Sequence, residues 1–63
     1  MKKKIIKVIY KNYRGEISER NILPLSIWFG NNEFHIDNQW LLNVKDCDRN
    51  IERTFALKDI QWL

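Results

Sequence analysis

The sequence predicts a small all-β domain, either a barrel or a strongly curved sheet. Three observations carry this. Short runs of alternating polarity are rich in β-branched and aromatic residues. Clusters of Asn, Asp and Gly separate the runs at short intervals. No stretch combines the length, period and caps of a proper helix, which excludes a helix-turn-helix reader within these residues. A barrel also leaves no strand edge exposed.

Lys4 to Lys11 is the first strand, with Ile6, Val8 and Tyr10 on one face and Ile5, Lys7, Ile9 and Lys11 on the other. Asn12-Tyr13-Arg14-Gly15 turns the chain, since asparagine tolerates left-handed backbone and glycine takes positive φ without steric cost. Glu16 to Phe29 exceeds the usual strand of about five or six residues. Pro24 has no N–H for a ladder, so a bend or bulge is expected there. Gly30-Asn31-Asn32 makes the next turn, Glu33 to Ile36 a short strand with Phe34 and Ile36 facing one way, and Asp37-Asn38 another turn. Gln39 to Lys45 places Trp40, Leu42 and Val44 on the better core face. Asp46-Cys47-Asp48-Arg49-Asn50 reads as a polar turn. In Ile51 to Leu57 one face holds Ile51, Arg53, Phe55 and Leu57, mixing core with charge. The spacing of Leu57, Ile60 and Leu63 suits a short C-terminal helical or 3₁₀ turn. Trp40 and Phe55 are the expected core aromatics, and two of the three tryptophans are expected inside.

The chain has 63 residues, enough for one domain and too few for two. With 44% hydrophobic and 13% aromatic residues it resembles neither a disordered tract nor a collagenous one. A small secreted domain is usually stapled by several disulfides, whereas Cys47 stands alone and permits no intramolecular bridge, so a cytoplasmic protein is expected. The segment from Met1 to Tyr10 imitates a secretion signal, but Lys7 interrupts its apolar run and no small-residue cleavage site follows. No run approaches the roughly 20 apolar residues that cross a bilayer, and no membrane association is expected.

Catalytic chemistry finds little footing. His35 and Cys47 are the only histidine and cysteine, so a zinc site would need carboxylates to complete it, and no metal or cofactor is expected. A thiol between Asp46 and Asp48 is disfavoured as a thiolate, which argues against a Cys/His nucleophile. With only Gly15 and Gly30, neither a dinucleotide fingerprint nor a phosphate loop can be written. The expectation is a binding protein and not an enzyme.

Charge is segregated. The net charge is +3, yet Lys2, Lys3, Lys4, Lys7, Lys11 and Arg14 share the first fifteen residues with no acid, while the remainder carries five bases against eight acids. Such a basic arm attracts nucleic acid or an acidic protein surface, and it serves equally as a solvated edge that keeps a β protein unpaired. Arg14, Arg20, Arg49 and Arg53 accompany Tyr13, Trp28 and Trp62, a pairing of guanidinium with aromatic rings suited to single-stranded nucleic acid.

Three segments in order carry a family resemblance: Ile9-Tyr10 with Gly15-Glu16; Arg20-Asn21-Ile22-Leu23-Pro24-Leu25; and Gln39-Trp40-Leu41-Leu42-Asn43-Val44 followed by Arg53-Thr54-Phe55-Ala56-Leu57-Lys58-Asp59-Ile60. From about Val8 to Ile60 the chain resembles the WYL domain of bacterial regulators, most of all its short, free-standing forms in bacteria, phages and plasmids. The resemblance implies an SH3-like or Sm-like five-stranded barrel that binds a nucleotide or nucleic acid, regulates a DNA-binding or effector protein, and self-associates as a homo-oligomer. By position it assigns ligand contact to Arg20 and Arg53, with Trp40 as a stacking residue. The sequence departs from the family where Gln39-Trp40-Leu41 replaces Trp-Tyr-Leu, removing the tyrosine hydroxyl. The alternative for each arginine is a sheet-edge ion pair with Glu19, Glu33 or Glu52, and the alternative function is a protein-interaction module whose basic arm docks an acidic partner.

Overall fold

Alternation of Ile6, Val8 and Tyr10 with Lys7, Ile9 and Lys11 builds strand β1 (Ile6–Lys11) of a five-stranded antiparallel sheet. The computed structural model describes residues 4–62. Strands β2 (Ile17–Gly30), β3 (Gln39–Asp46) and β4 (Ile51–Ala56) follow as a meander, a 3₁₀ turn spans Leu57–Asp59, and β5 (Ile60–Trp62) returns to pair with β1. The strand order is β4-β3-β2-β1-β5. The fold is therefore all-β, as expected.

Turn chemistry sets the first hairpin. Asn12 Oδ1 accepts from the N–H of Arg14 at 2.9 Å and of Glu16 at 3.0 Å, and Gly15 takes φ +83°, a backbone state strained for any residue with a Cβ. The ladder of β2 with β3 shifts register between Pro24 and Ser26, leaving Leu25 as the extra residue at the expected bend. Before the bulge Ile22 faces the core with Val8; beyond it Ile27 and Phe29 occupy that face.

The sheet curls because its connections force it to. Four strand spacings of about 4.8 Å would hold β4 and β5 about 19 Å apart in a flat sheet. A three-residue 3₁₀ turn, rising about 2 Å per residue, joins them. Only a curled sheet brings the two edges that close. No ladder links β4 to β5 among the described residues, so the curled sheet keeps an open seam. Val8, Tyr10, Ile22, Leu42, Val44, Phe55 and Ile60 fill its concave side, with Ile6 and Leu57 packed against them. Tyr10 and Phe55 stack at 3.8 Å between centroids, 8° from parallel.

Four expectations are corrected. Glu33 to Ile36 is a loop, not a strand: Asn32 Oδ1 accepts from the N–H groups of Phe34 and His35 at 2.9 and 2.8 Å, and Asn32 and His35 exchange backbone bonds. These local bonds satisfy the donors a ladder would need. The fifth strand is instead Ile60–Trp62, so the helical turn at Leu57 does not end the fold; Leu63 lies outside the described residues. Trp40 is 55% exposed although it shares the face of Leu42 and Val44. The β3–β4 ladder starts only at Leu41, opposite Ala56, so no β4 residue covers Trp40, which makes an edge contact with Phe29 at 5.4 Å. No tryptophan is fully buried either: Trp62 is exposed and Trp28 half-buried, donating Nε1–H to Asn43 Oδ1 at 3.1 Å.

Tyr10 carries a pH signature. Its hydroxyl oxygen accepts from the buried Ala56 N–H at 3.2 Å, tying β1 to the end of β4. Burial pushes its pKa above the ordinary 10.0, opposed in part by that Ala56 bond. A raised folded pKa favours the protonated form, so its contribution to stability is whole below pH 10.0 and lost as pH rises through the folded value. In Tyr10→Phe this alkaline loss should vanish. At neutral pH the variant should be less stable by about 1–3 kcal/mol, because the Ala56 N–H is left without a partner. Denaturant melts from pH 7 to 11 check both.

Candidate functional site

Residues directly opposite in a ladder share a face, as do residues two apart on one strand, and the register joins Ile22 to Asp46 and Asp46 to Ile51. Arg20, two before Ile22, and Arg53, two after Ile51, therefore flank Asp46 on the concave side. Asp46 is 0% exposed. Its Oδ2 lies 3.5 Å from Arg20 Nη1 and 4.0 Å from Arg53 Nη1. The two arginines singled out from the sequence thus converge, and they do so on a carboxylate of the chain itself. The sheet-edge partners Glu19, Glu33 and Glu52 are not the ones used; Glu19 sits 3.9 Å from Lys7 instead. The Asp48 carboxylate also acts on Arg20, so two acids face the two cations, while the buried Arg20 Nε–H has no hydrogen-bond partner among the described residues.

The turn after β3 holds this cluster in place. Asp46 Oδ1 accepts from Asp48 N–H at 3.1 Å, and Asn50 takes φ 56°, a left-handed state that asparagine tolerates. Asp48 grips Asn21 on β2, accepting from its side-chain nitrogen at 2.9 Å and its backbone N–H at 3.1 Å. Those two donors, in that order, hold the Asp48 carboxyl below its usual range. Cys47 N–H adds a 2.9 Å bond to Asn21 C=O. The sequence pattern places Asp46 and Asp48 in a polar turn; Asp46 instead ends β3, and the pattern shows neither carboxylate's cross-strand role. Arg53 on an apolar face was the available signal, because a charge there requires a partner.

A cleft of about 520 Å³ opens beside Arg53 along the free edge of β4, facing Tyr10, Asn12 and Tyr13 of the first hairpin and the loop at Asn32 to His35. Tyr10 and Phe55 floor it, and Tyr13 and Phe34, 5.0 Å apart, stand at its rim. Arg49, Arg53, Glu33 and Glu52 also line it, so its formal charges balance. Arg14 lies 5.5 Å over the Tyr13 ring. Arg20 and Trp40 do not reach this cleft. Trp40 belongs with Ile27 and Phe29, all more than half exposed on one face of β2 and β3. Of the basic arm, Lys4, Lys7, Lys11 and Arg14 are exposed, while Lys2 and Lys3 lie outside the described residues.

Among the described residues no group of three or more His, Cys, Asp or Glu is placed to hold a metal ion. Among them, too, no helix is long and apolar enough to cross a membrane. No family model, curated protein or solved structure matches the chain.

Proposed function

We propose that this chain is a regulatory binding module that works without catalysis in a cytoplasmic setting, and that its partner is a protein. The supporting observation is where the arginines point. Arg20 and Arg53, the natural fork for an external anion, are turned onto buried Asp46, while large apolar side chains such as Ile27, Phe29 and Trp40 stand in solvent. Exposed apolar groups in contiguous patches mark interaction surfaces. An SH3-like barrel of WYL type, left open where β4 and β5 do not pair, belongs to the same proposal; it is supported by the strand order, the bend at Pro24 and the 3₁₀ turn before β5.

A second reading, binding of a nucleotide or nucleic acid, is favoured by the Arg20 Nε–H, unpartnered among the described residues, and by Arg49, which lines the cleft with Tyr13 and Phe34. Titration with nucleoside monophosphates and a single-stranded oligonucleotide separates the two. At low salt the amide spectrum should stay unmoved. A saturable shift at Tyr13, Phe34 and Arg49 that weakens steeply with log salt would transfer the function to the anionic ligand. Sedimentation over rising concentration tests whether the protein partner is a second copy.

A further inference from the structure

We propose that the open seam along β4 takes an extended segment of a partner protein as an added β-strand, a proposal that rests on the protein-partner reading above. The Ala56 N–H leaves the β3 ladder and meets Tyr10 Oη across the seam. On an antiparallel strand, residues two apart direct both their N–H and C=O to the same side. Glu52 and Thr54 therefore present their backbone groups to the seam, and neither takes part in a backbone bond outside the β3–β4 pairing among the described residues. The cleft runs along every residue from Ile51 to Phe55, so it follows an unpaired strand edge. An extended backbone fits such an edge, because ladder bonds supply affinity whatever the sequence. Tyr10 already acts as the neighbouring acceptor at one end.

Side chains of the added strand alternate between two faces, and those turned inward meet different chemistry along the slot. Phe55 and Tyr10 form an apolar floor near Ala56. Toward Ile51 the lining carries both signs: Glu33 and Glu52, Arg53, whose contact with Asp46 is 4.0 Å, and Arg49, which is exposed and in no ion pair among the described residues. The segment that matches is extended and β-branched, with an aromatic or aliphatic side chain for the floor and a carboxylate further along for Arg49.

The probe is a pool of short synthetic peptides in which Val and Thr alternate, each carrying one Phe and one Asp on the same face. Amide spectra of the intact chain should show Glu52 and Thr54 shifting and becoming protected from exchange. N-methylation of the peptide nitrogens that face β4 should weaken binding roughly fivefold for each bond blocked. Thr54→Pro, which removes an outward N–H and keeps the backbone ladder with β3 while losing the 2.9 Å bond from the Thr54 hydroxyl to Asn43 Oδ1, should weaken it similarly; the N-methylated peptides test the same bonds on unaltered protein. Binding indifferent to N-methylation, with shifts at Ile27, Phe29 and Trp40, would overturn the seam and leave the protein partner standing. Protection of Glu52 and Thr54 by raising protein concentration alone would replace the foreign segment with a second copy. No peptide shift together with saturable oligonucleotide binding would remove both readings, and no shift with any probe would overturn the seam.

Discussion

Phe55→Ala is expected to leave the chain without a cooperative fold. Phe55 is 3% exposed, sits where β4 closes over the concave side, and stacks on Tyr10. Truncating a buried phenylalanine costs about 3–5 kcal/mol through lost burial and the cavity left behind. A domain of this size has about that much stability in total. Loss of the ring also loosens Tyr10, whose hydroxyl holds Ala56 and with it the end of β4. Circular dichroism and a denaturant melt test this, and a sharp transition near that of the unaltered chain would contradict it. Trp40→Ala is the fitting comparison, since a ring over half exposed should change the melt little.

These two aromatics show how far the sequence could be read. Both continue an apolar alternation, and alternation fixes only the face of a residue. Burial needs a neighbour on the adjoining strand: Phe55 has Leu42 across the ladder, whereas the last β4 residue stops opposite Leu41, one short of Trp40. Strand ends are set by tertiary pairing, which no single stretch encodes. Local signals were legible where the side chain itself makes the structure, as in the Asn12 acceptor, the positive φ of Gly15 and the register shift after Pro24. Asn32 is the same chemistry read incompletely. Its side-chain oxygen serves two N–H groups and extends the turn to His35, removing the strand that Phe34 and Ile36 suggest. β5 was hidden because three residues give too short an alternation to detect. Arg20 and Arg53 were recognisable as special, but their common partner lies on the strand between them and emerges only from the register through Ile22 and Ile51.

Asp46→Ala should rival Phe55→Ala in its effect, for a different reason. With the carboxylate gone, Arg53 loses its ion-pair partner and Arg20 keeps only the exposed Asp48 as a counter-charge, while the Arg20 side chain, 14% exposed, has little water to turn to. Removing one partner of a buried ion pair costs about 3–5 kcal/mol, because an uncompensated charge stays inside. The Asp48 N–H loses its acceptor as well, which loosens the turn clamped to Asn21. Asp46→Asn keeps an acceptor for that N–H but supplies no negative charge, so it should fall between the unaltered chain and Asp46→Ala. The charge origin is separable by a double replacement. Removing Arg53 along with Asp46 leaves fewer unpaired cations, so Asp46→Ala with Arg53→Met should recover part of the loss, and the two changes should be non-additive. If Asp46→Ala instead melts like the unaltered chain, the guanidinium groups are not held by the carboxylate. Arg20 and Arg53 would then be free to take an external anion, and the nucleotide reading would gain the fork that the protein reading denies it.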